Sequence, residues 1–512
     1  MPKKICSLIL ILFIIVSTFA GCSNKEKTVD SSGLKENGAE FGGTFCLACV
    51  SVDTMNPLIT KHASVSDFLS LIYEGLFVLK ADQTVEGVLA ESYTASDNNT
   101  VYTVKLKENI RFHNGKTFTA HDVVATLNYM ALYSDKFSGF MKYIAGYSAN
   151  GNSTLVIKLN SSKTDFINNF DFPILPKGLT ADDFMPQNSS FVPNGTGIYK
   201  YDTTLAHKNI VLKANDDWHG GGKRAYIDNV NIEILSDEDT IVSAFDSGIT
   251  DALTTSWRSF GELELTSSMF KTFENEQNRF TFVGINCQDE KFDSAPERRK
   301  LLSYIDPVKT ANDIMLGHAA AAYSPVREGV YYNPAQEAEN EINDETVKEI
   351  ENAPAVSCSL LYNSESKTKT RLAVAVKQQL EAGGYIVTLD GRDFESYSAK
   401  VILGDYDLYI GEVLLTGSLD MQFMFSSPIE SICNYDDAQF RALVTNLDTT
   451  SGSEDKKQAW QNFEKYYRNN AVQIPLYFTN NASFINKRIK GKLAPNLSVP
   501  FYGFENMYIE SK

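Results

Sequence analysis

Strands and helices alternate along almost the whole of this 512-residue chain, which predicts an α/β fold divided into more than one lobe. Length supports the division: residues 41–512 exceed what one hydrophobic core holds, since cores stop growing at about 250–300 residues. Composition supports folding, with 43% hydrophobic and 12% aromatic residues. After Ala20 no run is long and apolar enough to cross a bilayer as a helix. Two or three lobes are expected, a plan with room for a cleft between them.

Ahead of the folded part, Lys3 and Lys4 precede a largely apolar stretch from Ile5 to Ala20. It falls short of the roughly 20 apolar residues that a permanent spanning helix needs, and small residues follow it, so residues 1–21 read as a cleaved signal peptide. Thr18-Phe19-Ala20-Gly21-Cys22 resembles a bacterial lipoprotein box, with Phe19 where leucine is usual. Lipidation of Cys22 would supply the two acyl chains that make membrane attachment stable. Residues 22–40 then form a tether, because their polar composition cannot bury enough apolar surface to fold.

The first folded element is Gly43 to Val50, a continuous apolar run after a glycine pair, which reads as a buried strand opening the central sheet. Asp53 to Pro57 turns the chain, and Ser66 to Phe77 places apolar residues at helical spacing. Val101, Thr103 and Lys105 alternate with Tyr102, Val104 and Leu106, and Ile110-Arg111-Phe112 follows a short turn, so these runs read as a hairpin. Thr119 to Asp122 cap a helix running from Val123 to about Tyr133. Strands are expected at Ser153 to Leu159, Ile198 to Tyr201, Ile210 to Ala214 and Val230 to Leu235, with helices at Asp237 to Ser247 and Ala295 to Tyr304. A compact βαβ-like unit runs from a strand at Ser357 through a helix at Lys369 to Ala382 to a strand at Ile386 to Leu389, followed by Gly404 to Ile410. The acidic stretch Glu337 to Glu351 reads as an exposed helix with loop ends.

A formal charge of −17 argues against nucleic acid as a partner, because phosphate binding depends on clustered Lys and Arg. With Cys6 removed and Cys22 lipidated, Cys46, Cys49, Cys287, Cys358 and Cys433 remain, scattered and odd in number, so no disulfide framework is implied. Cys46 and Cys49 sit three apart on a strand, where they point to opposite faces, so they read as core thiols and not as half of a zinc site. The sequence has no Gly-x-Ser-x-Gly elbow and no His-Glu-x-x-His. Gly220-Gly221-Gly222-Lys223 lacks the upstream glycine of a phosphate loop and reads as a turn after Trp218. His113 and His121 flank the entry to a helix and read as turn and capping residues. No catalytic residue, metal or cofactor is assigned.

From Asp97 through Val123, and above all over Val104-Lys105-Leu106-Lys107-Glu108-Asn109-Ile110-Arg111-Phe112-His113-Asn114-Gly115-Lys116-Thr117-Phe118-Thr119-Ala120-His121-Asp122, the chain resembles the signature of the family 5 extracellular solute-binding proteins. Further matches follow in the family's order: Asp53-Thr54-Met55-Asn56-Pro57, Tyr73-Glu74-Gly75-Leu76-Phe77, Gly195-Thr196-Gly197-Ile198-Tyr199, Arg299 to Asp306 and Ile474-Pro475-Leu476-Tyr477. The resemblance implies a two-lobed periplasmic-binding-protein-like α/β fold of the class II type, with an inserted subdomain in lobe 1 and two hinge strands near Phe282 and Phe478. It implies lobe 1 at 41–283 with the insert at about 58–190, lobe 2 at 284–478, and a return to lobe 1 at 479–512.

It also implies a function: an extracytoplasmic lipoprotein of an ABC importer, monomeric and not an enzyme, that traps short peptides between its lobes on the outer face of the plasma membrane or in a periplasmic space. Oligosaccharides or metal chelates are the alternative solutes, and presentation of ligand to a sensory receptor is the alternative role. In well-known peptide binders of the family, an aspartate shortly after a Tyr-Asp pair holds the ligand's ammonium group beside a tryptophan. The run from Asp407 to Asp420 has neither residue at the expected place, so Glu412 and Asp420 stand as candidate substitutes. Trp257, Met55 and Asn56 are the other candidate ligand contacts, the last two in the loop after the first strand, a usual cleft position in α/β lobes.

Overall fold

The computed structural model describes residues 39–96, 98–185, 191–205, 209–221, 224–255, 263, 265–327, 355–424, 435 and 437–510. The leader, Cys22, Trp257, Gly222 and Lys223, Cys433 and the acidic stretch Glu337 to Glu351 lie outside the described residues. Among the described residues no helix is long and apolar enough to cross a membrane.

The first lobe rests on two sheets sharing one apolar core. In one, Thr44–Cys49 runs parallel to Asn229–Ile234, which pairs antiparallel with Asn209–Ala214 and through it with Tyr199–Leu205. Alternation puts Phe45, Leu47 and Cys49 on the core face beside Val230, Ile232, Ile210 and Leu212. Cys46 faces the other way and is half-buried, so the two thiols are separated and free. Burial pushes the Cys49 thiol up to about 12, which removes it from thiolate chemistry.

Thr44–Cys49 stands at the end of its sheet. Asp251 covers the outer flank: its N–H donates to the Cys46 carbonyl at 2.7 Å, and its carboxylate accepts from the Cys46 N–H at 2.8 Å. Arg488 closes this corner by donating to the same carboxylate.

The other sheet is antiparallel, in the order Ala90–Ser96, Val101–Leu106, Thr154–Leu159, Ile144–Asn150. Tyr102, Val104, Leu155 and Ile157 face the core from it. Packed beside it is the helix Ala120–Tyr133, whose Thr119 and Asp122 form a capping box. The strand at Val101–Leu106 thus pairs with segments before and after it, and the expected hairpin with Ile110 to Phe112 does not form. Residues 110–118 instead fold back on themselves, with Phe118 N–H donating to Ile110 O and Phe112 N–H to Lys116 O.

The early helix is also shorter than its apolar spacing suggests: Ala63–Leu69, with Phe77 already in a strand. Between them Gly75 lies against another backbone, where a Cβ would come within 2.6 Å of the Asp171 carbonyl oxygen.

The second lobe is a three-layer α/β unit. Its sheet, which the long strands continue into the first lobe, runs Ala252–Thr254, Gln473–Asn486, Phe270–Ile285, Leu408–Leu414, Ser357–Asn363, Ile386–Arg392, with Ala319–Ala321 also on Gln473–Asn486. The expected βαβ unit forms, Ser357–Asn363 and Ile386–Arg392 lying parallel across the helix Lys367–Ala382. Period-two alternation sorts side chains between two cores. Phe280, Phe282, Leu361 and Tyr409 face the helices Ala438–Thr449 and Ser453–Asn469. Val283, Ile285, Leu360, Leu408 and Ile410 face the helices Ala295–Tyr304, Pro307–Met315 and Lys367–Ala382.

Two long strands cross from one lobe to the other. Phe270–Ile285 and Gln473–Asn486 pair antiparallel from Phe270 opposite Asn486 to Gly284 opposite Gln473. Near one end Phe484 and Phe270 pack with Ile241, Phe245 and Leu253, and near the other Phe280 packs against Phe478 in the core that holds Phe440 and Phe463. The ladder is interrupted between Glu276 and Arg279 and again between Thr281 and Phe282.

Candidate ligand-binding cleft

A cavity of about 780 Å³ opens where the lobes meet. The first lobe supplies one wall through the segments around Ser70 to Leu79, Lys136 to Phe140, Asn169 to Pro173 and Trp218 to Gly221. The second supplies Leu414 to Gly417, the end of a strand and the loop after it, and the chain's last segment supplies Leu497 to Glu505. Most of these groups are apolar, and Phe140 stacks on Phe172 with ring centroids 5.6 Å apart.

The floor is made by the first interruption in the long-strand ladder. Glu276 is opposite Asn480 and Arg279 opposite Thr479, so Gln277 and Asn278 have no partners on the facing strand. A bulge of this kind re-aims side chains. Gln277 reaches Leu497 O at 3.0 Å and Asn278 O accepts from Leu415 N–H at 2.9 Å, tying floor, C-terminal segment and second lobe together. The polar run Glu276-Gln277-Asn278-Arg279 in the middle of a strand is the sequence signal for this bulge.

Glu74 organises one corner. Its carboxylate accepts from Thr196 Oγ1 at 2.8 Å and Trp218 Nε1 at 3.0 Å, and His219 Nε2 lies 2.7 Å away. These bonds fix the turn that carries Trp218 into the cavity wall. Gly220 is needed there, since a Cβ would sit 2.0 Å from the indole ring.

At the rim, residues 163–169 of the first lobe bind directly to the second. Lys163, whose side chain is 2% exposed, donates to Asp420 at 2.9 Å and to Asp448 at 2.7 Å. Tyr143 donates its hydroxyl to Asp420, and its ring lies 4.6 Å below the Lys163 ammonium. Thr164 N–H donates to Asp448 O at 2.7 Å, Asn169 Nδ2 reaches Ser418 Oγ at 3.1 Å, and Lys456 pairs with Asp165. Burial opposes ionisation of both aspartates. At Asp420 it is outweighed by Lys163 and the Tyr143 hydroxyl, which hold the carboxyl below its usual range, whereas at Asp448 burial prevails and the pKa rises.

The sequence-predicted contacts are not brought together. Asn56 is fully buried, its side chain accepting from Leu58 N–H at 3.0 Å and donating to Asp183 O at 2.9 Å, and Met55 packs against the first core. Pro57 follows them into the cavity wall, but neither residue lines it. Glu412 lies on Leu408–Leu414 between Arg279 at 2.9 Å and Lys369 at 2.5 Å, and Asp420 belongs to the rim cluster. Sequence reasoning passed over Asp171, Lys136 and Ser498, which do line the cavity. Among the described residues no group of three or more His, Cys, Asp or Glu is placed to hold a metal ion.

The fold and cleft have counterparts among known proteins. The sequence profile of bacterial extracellular solute-binding proteins, family 5 (middle), matches residues 84–428. The oligopeptide-binding protein AppA of Bacillus subtilis is 23% identical over an alignment covering 96% of each chain. The ABC transporter substrate binding protein CtaP of Listeria monocytogenes is similar in structure with a TM-score of 0.74 at 20% identity, over 92% of this chain and 100% of that one. NikA of Brucella suis, in complex with Fe(III)-EDTA, gives 0.72 at 17% identity, over 91% and 100%. With a profile match across most of its length and the two-lobed fold around a cleft, the chain belongs to the bacterial extracellular solute-binding proteins of family 5.

Proposed function

We propose that this protein captures short peptides in the interlobe cleft and delivers them to an ABC importer. The cavity carries the reading: about 780 Å³, walled by both lobes, it lies within the ~300–1,000 Å³ of small-molecule sites, and bridging waters let a cleft of this size accept varied side chains. The likeness to a named oligopeptide-binding protein along nearly the whole chain points to peptides as the solute. In this reading lobe 1 comprises residues 41–283 and 479–512 and lobe 2 residues 284–478, hinged near Phe282 and Phe478. Ligand favours the closed state because only there do both walls touch it.

The same reading gives Cys22 two acyl chains and holds the protein at the outer face of the membrane through the tether 22–40. Cys22→Ser is then expected to move the protein from the membrane fraction to the soluble one.

Native mass spectrometry of the purified protein, followed by release and sequencing of whatever is bound, tests the ligand. A set of short peptides is expected. A single non-peptide mass, such as a metal chelate of the kind held by NikA, would keep the transport role and replace the peptide.

A further inference from the structure

Two charges in the cavity wall lack the partners that every other cleft charge described above has. Asp171 is half-buried beside Phe170 and Phe172, and among the described residues its carboxylate accepts from one side-chain donor, the Ser498 hydroxyl. Lys136 is exposed in the same wall of the cavity, and among the described residues its ammonium meets no acceptor; it sits 5.5 Å from the centroid of the Phe137 ring. The two attract one another, yet they do not approach within ion-pairing distance.

Burial raises the pKa of Asp171, which has lost water without gaining an opposite charge in contact, whereas Lys136 is exposed and its ammonium is open to an anion held in the cavity. Across the cavity, Leu414, Leu415, Thr416 and Gly417 present no charge. A ligand of one sign would satisfy one of the pair and repel the other; a ligand bearing both signs satisfies both.

We propose that Asp171 and Lys136 determine specificity by reading the two charges of a zwitterionic ligand, its primary ammonium on the Asp171 carboxylate and its carboxylate on the Lys136 ammonium. Glu412 and Asp420 have no part in this, since each already has cations of the protein within 3 Å. The inference rests on the peptide reading and names the chemistry by which this cleft selects peptides.

The test is competitive capture. The immobilised protein is offered an equimolar library of tri- to pentapeptides in three forms, free, Nα-acetylated and C-amidated, and the bound fraction is quantified by mass spectrometry. The protein is expected to enrich the free form over each blocked form by at least about tenfold, less than the roughly thirtyfold that loss of one partner of a fully buried charge pair entails because Lys136 is exposed. Asp171→Asn is expected to lose discrimination against acetylated peptides while still rejecting amides, and Lys136→Gln the reverse; Asp171→Glu and Lys136→Arg keep part of it.

Equal capture of free and blocked forms by the unmodified protein overturns the proposal without any variant having to fold. So do variants that discriminate as the unmodified protein does. Capture of no peptide in any form overturns the peptide reading itself.

Discussion

The rim and the wall of the cleft are built to opposite specifications. At the rim, Lys163 is almost wholly buried and shared between Asp420 and Asp448, with Tyr143 donating to the first. In the wall, Asp171 has a serine and Lys136 an aromatic ring. Desolvating a charge is expensive, so a buried charge that the protein itself pairs is structural, and a half-buried one left without a counter-charge, as at Asp171, is stabilised by a partner from outside. The difference separates charges that hold the lobes together from charges that await a ligand, although both kinds involve the same first lobe.

Lys163→Met attacks the paired side of this comparison. It leaves two buried carboxylates without their cation, and breaking a buried pair by removing one partner costs about 3–5 kcal/mol. Because the rim joins two lobes, opening them relieves the strain by rehydrating the aspartates. Lower stability in urea and a larger radius of gyration by small-angle scattering are therefore expected, both partly restored in Lys163→Met combined with Asp420→Asn. A variant as stable and compact as the original would mean that rim charges are no more structural than wall charges.

A third kind of buried group sharpens the contrast, one satisfied only while neutral. His113 accepts from Gly195 N–H at Nδ1, and its Nε2 lies 2.9 Å from Gly197 O. Burial pushes its pKa down to about 4 from an ordinary 6.5, the hydrogen bond to Gly197 opposing only in part. The unfolded chain therefore takes up a proton near pH 6.5 that the folded one refuses until about pH 4. Stability is complete above pH 6.5 and falls as pH drops towards 4, by at most about 1.4 kcal/mol per pH unit from this group. Urea midpoints between pH 7.5 and 4.5 check this; His113→Asn is expected to have a shallower slope.

Elements were legible in the sequence far more than pairings were. The helix expected at Ala295 to Tyr304 is observed with those limits, and the strands expected at Ser153 to Leu159 and Val230 to Leu235 are shifted by a residue at one or both ends. Periodicity is a local property, and it is written into any stretch that has one face buried. Which strand lies beside which is decided by distant segments, and so the run 110–112 was paired with the wrong neighbour.

The cleft suffered from the same blindness. Glu412 and Asp420 drew attention because they follow Asp407, but alternation along Leu408–Leu414 turns Glu412 towards Arg279 and Lys369. Asp171 and Lys136 belong to phenylalanine-rich stretches that carry no motif, and only the folded chain sets them in one wall.

Glu412→Gln examines the paired side where it is more exposed. Burial raises the pKa of Glu412, but Lys369 and Arg279 outweigh it and hold the carboxyl down to about 2. With its folded pKa depressed, this group contributes stability above pH 4.5 that is lost as pH falls towards 2. Its side chain is 28% exposed, so screening limits the loss in the variant at pH 7 to about 1 kcal/mol. Peptide capture is expected to be unchanged, because the residue does not line the cavity. A variant that folds but no longer tells free from acetylated peptides would return the ammonium site to Glu412.

The smallest expected effect has the opposite sign. In the ligand-free protein the Asp171 carboxylate is desolvated with no cation in contact, and Ser498 donates to an amide oxygen as well as to a carboxylate oxygen. Asp171→Asn is therefore expected to raise stability by about 0.5–1 kcal/mol at pH 7, the usual sign when a charge kept for function is neutralised. The gain should shrink as pH falls and the original carboxyl takes up a proton, and it should reverse when a captured peptide is present, since the ammonium then pairs only with the original side chain. Urea midpoints with and without peptide measure both signs on one pair of proteins. A variant less stable in both conditions would make Asp171 a structural residue like Asp420, and the distinction between rim and wall would fail.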